Sequence, residues 1–121
     1  MIFLDSNIII YLSKGLINID DVFTEDTQYA ISVITYMEVL GYPFDSSKEK
    51  TFIEDFFSLL KIIYIDEKVS HKVIELKQNN KIKLPDAIIC ATAILNKSVL
   101  ITNDIRLKSI KDLNIKFLNA K

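Results

Sequence analysis

Ile2-Phe3-Leu4-Asp5-Ser6-Asn7-Ile8-Ile9-Ile10-Tyr11-Leu12 opens the chain with three apolar residues, an acid and a second apolar run. Three successive apolar side chains without alternation describe a short strand buried on both faces, as in a parallel sheet. Ser6 to Leu12 then reads as a helix, with Asp5 or Ser6 as its cap. A carboxylate at the seam of a buried strand is costly unless something compensates its charge. The same event recurs at Val99-Leu100-Ile101-Thr102-Asn103-Asp104, where an acid again ends an apolar strand.

Working outward, strand and helix signals alternate. Strands are expected at 2–4, Tyr29 to Ser32, Ile62 to Ile65, Val99 to Ile101 and Ile115 to Leu118. Between them lie a short helix over 18–26, one from about Thr35 to Leu40 stopped by Gly41 and Pro43, and one opened by Ser46 or Ser47. That last helix carries Phe52, Ile53, Phe56, Phe57, Leu59 and Leu60 on one face of a 3.6-residue period. Asp66 caps a helix reaching about Asn79, with Val69, Val73, Ile74 and Leu76 inward. Pro85 stands in the first turn of the next helix, which continues from Ala87 to Leu95, and 105–110 form a helical turn. Short apolar strands separated by helices imply an α/β fold: a three-layer α/β/α sandwich around a mostly parallel sheet of about five strands.

A chain of 121 residues fits one domain, here residues 1–121. The single cysteine, Cys90, cannot form an internal disulfide, reads as a small buried hydrophobe and fits a reducing compartment. With no apolar run near 18 residues and no basic leader before the first strand, the expectation is a cytoplasmic protein with no membrane association. The net charge of −1 conceals an asymmetry: one lysine against seven acids through residue 47, then 14 basic against nine acidic groups. A basic surface beside an acidic pocket suits a polyanion approaching bound metal.

The chemistry lies in four acids placed where packing alone would not put them: Asp5, Glu38 within Ile34-Thr35-Tyr36-Met37-Glu38-Val39-Leu40, Asp86 within Ile82-Lys83-Leu84-Pro85-Asp86-Ala87-Ile88-Ile89, and Asp104. Asp5 and Asp104 follow strands, on the sheet edge where open α/β folds bind ligands. Two like charges about 5 Å apart repel by about 3 kcal/mol at an effective dielectric of about 20. Four gathered carboxylates would then cost on the order of 15–20 kcal/mol, more than a domain's whole stability. Either some are protonated, or a hard oxygen-seeking cation such as Mg²⁺ or Mn²⁺ neutralises them. The second arrangement suits phosphodiester hydrolysis by a metal-activated water.

Phe3-Leu4-Asp5-Ser6-Asn7, Ser32-Val33-Ile34-Thr35 leading to Glu38, Lys83-Leu84-Pro85-Asp86-Ala87 and Ile101-Thr102-Asn103-Asp104 together resemble the PIN-domain ribonucleases, and most of all the small VapC-type toxins of toxin–antitoxin pairs. The likeness spans nearly the whole chain in the family's order. It implies a metal-dependent endoribonuclease with Asp5, Glu38, Asp86 and Asp104 around Mg²⁺ or Mn²⁺, leaving 5′-phosphate and 3′-hydroxyl ends on RNA. It also implies a homodimer and a cognate antitoxin that presents a basic side chain to the acids. Asn7 and Thr102 match polar positions that support the acids, and Lys81 and Lys83 are candidates to meet RNA phosphates. Leu107 departs from a common aromatic, Cys90 from a common alanine, and Asn96-Lys97 from a helix-ending glycine, which puts substrate choice in question more than the chemistry.

Plainer roles compete for each residue. Asp5 could be only a helix cap, Asp86 a favourable charge at a helix start, Asp104 a turn residue and Glu38 an outward side chain. His71 reads as an exposed helix residue. Two rival functions follow: a PIN-like binding protein without catalysis, and a phosphoacceptor receiver domain using Asp66. The receiver needs two adjacent acids after the first strand, where this chain has Asp5-Ser6, and a lysine before proline near its end, where Lys116 has none.

Overall fold

The computed structural model describes residues 1–120; Lys121 lies outside the described residues. Five strands, β1 (Ile2–Leu4), β2 (Tyr29–Ser32), β3 (Lys61–Ile63), β4 (Val99–Thr102) and β5 (Asn114–Phe117), form one sheet of order β3-β2-β1-β4-β5. Every pairing is parallel, with Phe3 opposite both Ala30 and Leu100. The helices are α1 (Ser6–Ser13), α2 (Ile19–Val22), α3 (Val33–Leu40), α4 (Ser47–Phe57), α5 (Glu67–Asn79) and α6 (Leu84–Leu95), and a 3₁₀ turn, Ile105–Ser109, joins β4 to β5. None is long and apolar enough to cross a membrane.

The strand period of two sorts the central residues into two cores. Ile2, Leu4, Ile31 and Ile101 pack with Ile8, Ile9, Val39, Ile53 and Phe56 from α1, α3 and α4. Phe3, Ala30 and Leu100 point the other way, onto Val69, Val73 and Leu76 of α5 and the small-residue face of α6. The expected three-layer α/β/α arrangement is therefore present. β1 lies mid-sheet because all three of its side chains are buried.

Caps set most boundaries. Ser46 accepts from Glu49 N, Asp66 from Val69 N and Ser32 from Ile34 N. Because Ser32 is the cap, α3 begins at Val33 rather than Thr35. The third strand stops at Ile63, short of the expected Ile65, since Tyr64 and Ile65 run past the sheet edge into solvent. The helix expected over 18–26 closes after four residues. Two residues expected inward are not: Leu59 is 80% exposed because α4 ends at Phe57, and Ile74 is 55% exposed because Val69, Val73 and Leu76 already complete the buried stripe of α5. His71 is exposed as expected, beside Glu67.

At the end of α6, Lys97 takes the left-handed backbone where a glycine would be at ease, with φ 51°, while Asn96 closes the helix at φ −91°. A Cβ in that region is strained. Lys97→Gly should therefore stabilise the fold by about 0.5–1 kcal/mol, read as a higher midpoint in urea at unchanged slope.

Strand order decides where a ligand binds. β2 and β3 lie on one side of β1, and the chain then crosses to β4 on the other side. That reversal opens a crevice beyond the carboxyl ends of β1 and β4. Asp5 N donates to Ile101 O at 3.0 Å, which holds the first acid against the end of β4.

Candidate acidic centre

Asp5 directly follows β1 at this edge of the sheet and is 6% exposed. Its Oδ1 accepts from Ser6 N at 2.8 Å and its Oδ2 from the Thr102 hydroxyl at 2.7 Å. The same Thr102 oxygen accepts from Asp104 N at 3.0 Å, so one buried hydroxyl positions the acids that follow β1 and β4. Asp5 does cap α1, but the burial of its carboxylate exceeds what a cap needs.

Burial is the largest influence on Asp5 and raises its carboxyl from 3.8 to about 6, against the lowering effect of the Thr102 and Ser6 hydrogen bonds. The charges of Asp86 and Asp104 add to the rise. Asp86, half-buried in the first turn of α6, is also raised, first by burial and then by Asp104, while Arg106 and Lys83 act in the opposite sense. Asp104 alone is lowered, because the Arg106 guanidinium binds it. These three acids feel one another, and Cys90 lies buried beneath them on α6. Desolvation, then the charges of Asp5, Asp86 and Asp104, push its thiol up to about 12, so it is an inert hydrophobe, as expected.

Glu38 joins by another route. It is an exposed residue of α3, and the Ser6 hydroxyl donates to its Oε1 at 2.8 Å. Ser6 and Thr35 share a further hydrogen bond at 3.2 Å between two buried hydroxyls. Ser6 thus ties Asp5, through its backbone, to Glu38, through its side chain. Sequence reasoning gave Ser6 only a capping role; its place directly after Asp5 was the available signal. Asn7 faces solvent and takes no part in this network. Its helix neighbour Ser6 turns inward instead, about 100° away around α1.

Arg106 was the other residue the sequence did not single out. Its Nε donates to Asp104 Oδ1 at 2.9 Å and its Nη2 to Oδ2 at 2.7 Å, a two-pronged grip. Arg106, Asp86 and Asp104 line a cleft of about 520 Å³ together with Lys81 and Lys83. Both lysines are exposed.

The donor chemistry fits a hard divalent cation. It is all carboxylate oxygen, backed by hydroxyls, and includes a buried acid whose charge has like neighbours in place of a cationic partner. Among the described residues, no three His, Cys, Asp or Glu groups stand close enough together to hold a metal ion. Asp104 is turned to Arg106.

The PIN domain family model matches residues 2–113. Among solved structures, a toxin-antitoxin complex from Klebsiella pneumoniae contains a chain 33% identical, with TM-score 0.81, covering 93% of this chain and 95% of that one. VapBC-1 from nontypeable Haemophilus influenzae gives 28% identity and TM-score 0.78, covering 97% and 98%. VapBC2 from Rickettsia felis, solved bound to a DNA fragment from its promoter, gives 25% identity and TM-score 0.80, also covering 97% and 98%. No curated protein sequence matches significantly.

Proposed function

The chain belongs to the PIN domain family, in which nuclease activity is general, and we propose that it is a Mg²⁺- or Mn²⁺-dependent endoribonuclease, the toxin of a toxin–antitoxin pair. One observation carries the proposal: a carboxylate 6% exposed at the end of β1, raised to about 6, that feels the charges of two further acids, Asp86 and Asp104. Such an arrangement is destabilising on its own and useful once a cation neutralises it.

Asp5, Glu38, Asp86 and Asp104 would hold the cation. When bound, it would polarise the scissile phosphate and make a water nucleophilic near neutral pH. The chain's own residues do the positioning. Thr102 fixes the Asp5 carboxylate and the backbone after β4 at once, and Ser6 holds Glu38 toward Asp5. Asp86 carries a raised pKa and is the acid best suited to accept the attacking water's proton. Lys81 and Lys83, on the rim of the same cleft, suit the phosphates flanking the cut.

An antitoxin partner is supported by the relatives found in toxin–antitoxin complexes. A small groove lined by Tyr36 and Leu40 of α3, the helix that carries Glu38, and by Phe57 of α4 offers a partner segment a partly apolar seat. A homodimer of one-domain chains working in the cytoplasm completes the proposal, supported by the exposed apolar side chains Leu59, Tyr64 and Ile65.

The test is cleavage of single-stranded RNA by the purified, partner-free protein. Cleavage should need Mg²⁺ or Mn²⁺, stop with chelator, leave 5′-phosphate and 3′-hydroxyl ends, and fall at least about a hundredfold in Asp86→Asn. Intact RNA in both cations, or cleavage indifferent to chelator, would overturn the proposal. An inert binding protein is favoured by one fact, the engagement of Asp104 by Arg106, and the same assay separates the two. The receiver reading loses its ground: Asp66 caps α5 beyond β3, an edge strand.

A further inference from the structure

Arg106 is the only arginine in the chain; the other basic residues are 14 lysines. Its two prongs occupy both carboxylate oxygens of Asp104, and the Arg106 backbone N–H donates to Oδ1 as well, at 3.0 Å. The guanidinium also lowers the charge cost of Asp86, without a hydrogen bond to it. Arginine's planar fork suits a carboxylate in a way lysine cannot match. The side chain is 76% exposed, and among the described residues its side-chain hydrogen bonds go to Asp104 alone. Lys83, the other cation acting on Asp86, is also exposed, and neither acts on Asp5.

We infer that Arg106 is a built-in stand-in for the divalent cation: it holds Asp104 in the metal-free protein and must release it before the site can load. This rests on the metal-dependent nuclease reading and adds a threshold to it. A cation entering the crevice needs Asp104 oxygens that are already satisfied, and it also meets the positive charge of Arg106. The exchange is feasible because the Arg106 side chain is 76% exposed, so a released guanidinium swings freely into water. Arg106 is thus a positioning residue that sets how much Mg²⁺ or Mn²⁺ the free protein needs.

Two measurements on the metal-free protein test this. Mn²⁺ titration, followed by the electron paramagnetic resonance of free Mn²⁺, should show binding about five- to tenfold tighter in R106Q and R106A than in the wild type, with R106K between them. In ¹⁵N-labelled wild type, the single arginine Nε–H resonance should shift and exchange faster with water as Mg²⁺ is added. A purely structural role for Arg106 would move neither the affinity nor that resonance on metal addition. Equal or weaker Mn²⁺ binding in both R106Q and R106A, with an unmoved resonance, overturns the inference while leaving the nuclease reading intact if the wild type still cleaves RNA. Absence of both metal binding and cleavage in the wild type overturns the two together.

Discussion

Asp5→Asn should make the metal-free protein more stable at pH 8 by about 1–2 kcal/mol while reducing RNA cleavage at least about a thousandfold. The folded-state carboxyl is raised from 3.8 to about 6, chiefly by burial, which corresponds to about 3 kcal/mol between protonated and charged forms. The sign follows from proton binding. A raised pKa means the folded protein holds the proton more tightly than the unfolded chain. The resulting stabilisation is complete below about pH 3.8 and is lost as the pH rises through about 6. Above that window wild type carries a buried charge and Asn does not. Asn keeps an acceptor for Ser6 N but leaves the Thr102 proton without its charged acceptor, so only part of the difference is recovered. Urea unfolding of both proteins at pH 8 and pH 4 checks this: the gain should be present at the first and gone at the second. Equal stability at pH 8 would mean that Asp5 is not held as a strained buried charge. Added Mn²⁺ should reverse the order at pH 8, since binding stabilises only the protein able to take it, by about 2.7 kcal/mol at a hundred times Kd.

The second large effect belongs to Thr102, which touches no substrate. Thr102→Val keeps the shape of a fully buried side chain and removes the oxygen that serves both Asp5 Oδ2 and Asp104 N. Two buried polar groups lose their partner, and the expected destabilisation is about 2–3 kcal/mol at pH 7. Cleavage should fall about 10- to 100-fold through loosened carboxylates, with the half-maximal Mg²⁺ concentration rising in step. Thr102→Ser should restore most of both. A valine variant with wild-type metal demand would show that the hydroxyl only fills the strand end and does not orient the acids.

Much of this was legible in the residues. The unbroken apolar triplet Ile2-Phe3-Leu4 marks a doubly buried parallel strand, because no face of it tolerates water. Ser46, Asp66 and Pro85 mark helix starts through hydrogen bonds and backbone angles that are local to them. The acids stood out for the same reason: charge inside an apolar run has no local explanation. Thr102 was singled out only by the family resemblance, and the expected strand stopped one residue before it. Asn7 was likewise singled out by the resemblance, and the structure places it in solvent; Leu59 and Ile74 misled because a periodic stripe does not announce where its helix ends or when its face is already full.

The sequence by itself determined the alternation of strands and helices and the four acidic positions, since these depend on side-chain type and short-range periodicity. Only the tertiary structure decided that β4 lies beside β1, so that Asp5 and Asp104 meet through one threonine hydroxyl 97 residues along the chain from Asp5. It also decided that Ser6 reaches Glu38 across 32 residues, and that Arg106 lies on Asp104. Strand order and side-chain direction arise from how the two faces of the sheet are covered at once, and no local run of residues encodes that.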